Sequence, residues 1–139
     1  MKRYITYLIA FILPLSIFGQ SVKSSNCNKI KYGTFYFYPA NAQNGFVIIR
    51  KKSLQEEINL KTSDTSFWKI NWINSCEFNL KFIRKSHPIS KDEIAFYDSH
   101  VSVVKITKIT KDYYVFKGGL DSINNISAMT DTLWFKSRQ

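Results

Sequence analysis

The sequence predicts an all-β protein: about eight short strands in an antiparallel meander that closes into an up-and-down barrel, behind an N-terminal export signal. Three observations carry this. The chain is rich in side chains that suit a pleated, half-buried surface, with 11 Phe, 8 Tyr and 3 Trp among 139 residues, and has only 5 Gly and 3 Pro to interrupt it. Apolar and polar residues alternate with a period of two over most of the chain, and no stretch carries a sustained helical stripe. The strands are joined by short loops. Only residues 84–99 form a long connection, whereas a two-sheet sandwich needs long Greek-key crossings.

Residues 1–20, MKRYITYLIAFILPLSIFGQ, read as a signal peptide. Lys2 and Arg3 form its positive start, and Ile5 to Phe18 its apolar core. Small residues around Ser16 and Gly19 suit cleavage before Gln20 or Ser21. The run is short for a bilayer span and contains Pro14, which argues against an uncleaved anchor. No membrane span is therefore expected after cleavage. Residues 21–139 make one domain, expected as a monomer in the periplasm or outside the cell.

Within that domain the first strand is expected over residues 33–38 (GTFYFY), stopped by Pro39-Ala40-Asn41. Residues 46–52 and 54–62 follow, close enough for a tight hairpin. Residues 65–73 alternate around Trp68, Ile70 and Trp72, and residues 76–83 around Phe78, Leu80 and Phe82. A two-residue turn at Asn74-Ser75 would put these two rows on opposite faces. Burying all six large side chains together is worth several kcal/mol more, so an odd loop or a bulge is expected. In the long connection, Ser90 can cap a short helical turn reaching Ala95, with Glu93 at the capping-box position. Residues 100–110 and 113–117 pair around Lys111-Asp112. Gly118-Gly119 and Asn124-Asn125 break the chain, and residues 128–135 form the last strand.

Removing Lys2 and Arg3 from the 20 basic residues leaves 18 against 10 acidic ones, a net charge of +8 for the mature chain. In an exported protein with dispersed lysines this points to a solvated basic surface, and no nucleic-acid partner is expected. Lysines on strand edges also guard against edge-to-edge pairing. Cys27 and Cys76 are the two cysteines, and an even count in an exported chain points to a disulfide. It would span 76 − 27 = 49 positions, for which chain entropy gives about 4 kcal/mol. The rival reading, lipid modification of Cys27, meets the objection that residues 20–26 separate it from the apolar core. His87 and His100 fall in no ligand spacing, so no metal is expected, and no cofactor.

The most pointed local pattern is Arg50-x-x-Ser53-x-Gln55-x-Glu57. A hairpin turning at Lys52-Ser53 sets Arg50 opposite Gln55 and diagonal to Glu57, all on one face. Inside a barrel this trio would hold the polar end of a ligand. On the outside it would be a cross-strand pair worth about 0.2–1 kcal/mol. Val47, Ile49, Leu54, Ile58 and Leu60 make a natural core row on the opposite face, which favours the outside reading, although Phe46 and Ile48 share the Arg50 face. Trp68, Trp72 and Trp134 are candidates for a pocket wall or for plain core. Asp92, Glu93 and Asp98 near His87 and His100 could do acid–base work, but no nucleophile motif accompanies them. Gly118-Gly119 is too short for a phosphate cradle. Asn125-Ile126-Ser127 is a formal glycosylation triplet.

The order Cys27, Gly33-Thr34-Phe35, Arg50-x-x-Ser53-x-Gln55-x-Glu57, Trp72-Ile73, Cys76-x-Phe78-x-Leu80 resembles a largely uncharacterised group of small exported proteins of Bacteroidetes-type bacteria. The resemblance covers residues 27–80, and position 78 is Phe where the pattern has Tyr. Some members carry the label DNA topoisomerase IV, which a chain of this size sent away from the chromosome does not support. The resemblance implies an exported lipocalin-like fold and a Cys27–Cys76 pair, and it carries no activity. The expected function is non-enzymatic binding of a small apolar molecule or peptide. Its ligand-binding residues would be Arg50, Gln55, Glu57, Trp68 and Trp72. The alternative is an envelope interaction or structural protein with a filled core, meeting an envelope partner through its basic exterior. An internal cavity of a few hundred cubic ångströms separates the two.

Overall fold

The computed structural model describes residues 24–40, 45–121 and 129–138. The expected signal peptide, Asn124-Asn125 and the Asn125-Ile126-Ser127 triplet lie outside them. The strands are β1 (Gly33–Phe37), β2 (Phe46–Arg50), β3 (Leu54–Asn59), β4 (Thr65–Asn74), β5 (Glu77–Lys85), β6 (Ser102–Ile109), β7 (Tyr113–Leu120) and β8 (Met129–Trp134). Each pairs antiparallel with its neighbour in sequence, and β8 returns to β1, so the sheet closes as a barrel. Closure removes the free edges that would otherwise template pairing with another chain. A short helix α1 (Ser24–Cys27) and a 3-10 turn (Asn28–Ile30) precede β1, and helix α2 (Lys91–Ser99) joins β5 to β6. Among the described residues no helix is long and apolar enough to cross a membrane.

Alternating strand direction gives the barrel two distinct ends. The β2–β3, β4–β5 and β6–β7 turns share one end with the N-terminal segment, here called the floor. The other four connections, with α2, share the mouth. At the floor, Cys27 and Ile30 are fully buried, and a Cys27–Cys76 disulfide ties α1 to the β4–β5 turn. Gly33, at φ +130°, turns the chain from this plug into β1, a backbone conformation that side chains with a Cβ resist. At the mouth, Ser90 caps α2 by accepting from the Glu93 backbone N–H at 3.1 Å, while the Glu93 carboxylate accepts from the Ser90 N–H at 3.2 Å. The capping box is present, and the helix runs on to Ser99, past the expected end at Ala95.

The register between β4 and β5 follows the expected bulge. Trp68 faces Phe82, Ile70 faces Leu80 and Trp72 faces Phe78. Ile73 is the extra residue before Asn74 pairs with Glu77, and Ile83 is the extra residue at the other end of the ladder. Both bulged isoleucines are exposed, so the two large rows stay on one face at the expense of two smaller side chains.

Two expectations are corrected. The core row of the β2–β3 hairpin is the Arg50 face, not Val47, Ile49, Leu54, Ile58 and Leu60. Ile48, Arg50 and Gln55 are buried, while Leu60 is exposed and the other four are half-buried on the outside. The choice is made by β1, whose Phe35 and Phe37 lie opposite Ile48 and Phe46 and face inward. Gly118-Gly119 does not break the chain either: both residues continue β7, and Gly118 pairs with Val104 and with Met129.

Candidate functional site

The barrel encloses a cavity of about 400 Å³. Its wall is apolar, with Phe46, Ile48, Leu80, Val104, Phe116 and Leu133 among the side chains that line it. Towards the mouth it runs between Ser102, Gly118, Gly119, Leu120 and Met129, and there Met129 is 51% exposed. Gly118 follows Tyr114 and Phe116 on the inward face of β7, and the Phe116 ring lies across it, 3.4 Å from where a Cβ would stand. Its polar groups converge at the deep end, where Arg50, Gln55, Glu57 and Tyr114 meet.

Arg50 organises that end. Its Nε donates to Gln55 Oε1 at 2.9 Å, its Nη1 to the Ile30 carbonyl at 2.8 Å and its Nη2 to the Tyr114 hydroxyl at 3.1 Å. The guanidinium also lies over the Phe78 and Phe35 rings, 4.7 and 5.1 Å from their centroids. One side chain thus ties the N-terminal plug to β2, β3 and β7. Gln55 passes the network on, donating from Nε2 to Glu57 Oε1 at 2.8 Å. The trio predicted from sequence is therefore assembled inside the barrel.

Glu57 sits deep in the structure, yet its side chain fronts the cavity and is only half-buried there. Burial pushes its carboxyl above the ordinary range. The Gln55 hydrogen bond, the Arg50 charge and the Trp68 indole N–H pull the other way. Trp68 Nε1 is close enough to favour the carboxylate but makes no well-formed hydrogen bond, and it is buried with no other partner among the described residues. Burial also pushes the Tyr114 phenol up, so it stays neutral as the acceptor for Arg50.

Trp68 is a wall of the cavity as expected, and Tyr97 of α2 packs edge-on behind it, ring centroids 5.6 Å apart. Trp72 is not a wall. β4 is ten residues long and carries Trp72 past the cavity to the floor, where it packs on Phe78 under Lys31. Trp134 packs on Tyr113 and under Arg138, also away from the cavity. The sequence reading missed Tyr114 and Phe116, although the alternation Tyr114-x-Phe116-x-Gly118 marks them as one face of β7.

Three of the candidate acid–base residues have partners away from the barrel cavity. His87 pairs at 3.1 Å with Asp64, both on the surface. His100 bonds the Phe96 carbonyl and Ser99 at the end of α2, and Glu93 is held in the capping box.

Fold and site together define a closed eight-stranded antiparallel β-barrel with an internal apolar cavity based on a buried Arg–Gln–Glu relay. No protein-family model and no curated protein matches the chain.

Proposed function

We propose that this protein is an exported, non-enzymatic, lipocalin-like binder of a small, mainly apolar molecule, of the Bacteroidetes-type group that its first half resembles. The observation that carries the reading is the cavity: about 400 Å³, apolar-walled, with a few polar groups converging at one end. Ligand sites have this character and fall in a range of about 300–1,000 Å³. The disulfide is compatible with export, since such bonds persist in oxidising compartments. A filled-core envelope protein would have no use for the space, so the cavity favours the binder over that alternative.

The test is Val104→Phe. Val104 lines the cavity and is already buried, so a larger side chain there occupies ligand space. The expected result is loss of apolar-probe binding with stability changed by less than about 1 kcal/mol. A well-packed interior would instead lose about 1–3 kcal/mol to overpacking. Urea melts with and without a fluorescent apolar probe read both effects, and unchanged probe binding in the variant would overturn the reading.

A further inference from the structure

We propose that the cavity takes a monoanionic amphiphile, an apolar body ending in one carboxylate or similar acid group, and that Glu57 takes up a proton from solvent as it binds. This rests on the cavity being a ligand site.

Arg50 carries a buried charge with no direct counter-charge. The hydrogen bonds of Arg50 go to an amide oxygen, a backbone carbonyl and a phenol, all neutral. Its counter-charge is Glu57, held one residue away by the bridging Gln55 amide. Glu57 is also the carboxyl that fronts the cavity. Solvent entering from the mouth can hydrate it; an apolar ligand body cannot. Filling the cavity therefore deepens the desolvation that already dominates this group and drives it to the neutral acid. Arginine keeps its proton under all such conditions. Arg50 would then hold an unbalanced charge in an apolar barrel, which is costly.

The ligand head decides whether that cost remains. An acid group supplies the missing negative charge, and the proton gained by Glu57 becomes a donor to a ligand oxygen. A neutral alcohol leaves either Arg50 unbalanced or a desolvated carboxylate in place. An ammonium adds a second positive charge beside Arg50. The net +8 of the mature chain also draws anions rather than cations towards the protein. Among the described residues, the groups facing Glu57 are Arg50 from β2, Gln55 from β3, Trp68 from β4 and the Tyr114 phenol from β7. Burial holds the phenol neutral, and neither the Gln55 amide nor the Trp68 indole titrates, so Glu57 is the group that can exchange the proton.

The experiment compares decanoate, decan-1-ol and decylamine by calorimetry on the oxidised protein. It uses a pH series and two buffers of different ionisation enthalpy, with Trp68 fluorescence as the site-specific signal. Decanoate is expected to bind most tightly and to bring one proton with it. Its affinity should fall about tenfold per pH unit once Glu57 is ionised in the free protein. Glu57→Gln, which keeps an acceptor for Gln55 Nε2 and is permanently neutral, should retain decanoate binding and lose both the proton uptake and the slope. The wild-type proton count stands alone if that variant does not fold. Preference for decan-1-ol or decylamine, blocked by Val104→Phe, would overturn the anion inference and leave the cavity reading standing. So would decanoate binding without proton uptake. Binding of none of the three would remove both.

Discussion

The two ends of the barrel are built from the same eight strands and differ in almost everything else. At the floor a disulfide, a buried arginine and edge-on and tilted aromatic pairs join the N-terminal plug to β1, β2, β3, the β4–β5 hairpin and β7. At the mouth, α2 rests on β5 mainly through Tyr97, stacked on Phe82 at 4.2 Å, while Ile94 and Phe96 are each 44% exposed. Gly118 presents no side chain on the inward face of β7. Cross-links are concentrated at the floor, and half-exposed side chains at the end where the cavity opens. Binding surfaces are commonly drawn from the less stable part of a fold while the rest holds it in place.

The sharpest way to break this contrast is to unstaple the floor. Replacing Cys76 with Ser should cost about 4 kcal/mol, because the 49-residue separation is no longer closed in the unfolded chain. Urea denaturation of both proteins measures it, and a loss below about 1 kcal/mol would mean that the plug is held by packing alone. Next in size is Arg50→Met, which keeps bulk but strands the Ile30 carbonyl and leaves Glu57 without its counter-charge. About 3 kcal/mol should be lost, as for other buried charged hydrogen-bonding groups. At the mouth, Phe96→Ser on α2 should change stability by no more than about 0.5 kcal/mol, since Phe96 is close to half exposed and its ring contacts, Tyr97 and His100, belong to its own helix end. A thermal melt showing a large loss for Phe96→Ser would erase the distinction between the ends.

What the sequence made legible follows the range of the interactions that decide it. Strand positions were readable because alternation is local: β1, β2 and β4 begin at the residues the pattern indicated. The capping box at Ser90 and Glu93 is equally local. The direction in which the β2–β3 hairpin faces is not, because both faces carry apolar residues. It is settled by Phe35 and Phe37 on β1 and by Tyr114, sixty-four residues after Arg50, which receives the arginine's hydrogen bond. The trio itself could be found, since the turn fixes its register, but whether it was inside could not. Trp68 and Trp72 share a row, so alternation treats them alike. Only the length of β4 and the position of the plug show that one meets the cavity and the other the floor. Gly118-Gly119 misled for a related reason: glycine is a turn signal when no neighbouring strand is known, and a bare stretch of wall when one is.

The closure of β8 onto β1 bears on the order in which the barrel assembles. Every other pairing joins strands consecutive in the chain, so seven of the eight ladders close at small entropic cost, the β5–β6 ladder across the longer α2 connection. The last joins the two ends of the sheet and rests on two residue pairs, Tyr36 with Trp134 and Phe37 with Leu133, against five for β1 with β2. This seam is the long-range step in an otherwise local pathway, and the natural place for it to come last. It is also where the folded barrel should open first, so whichever of the consecutive Tyr36 and Phe37 amides points to β8 rather than β2 should exchange with solvent ahead of those in the β4–β5 ladder.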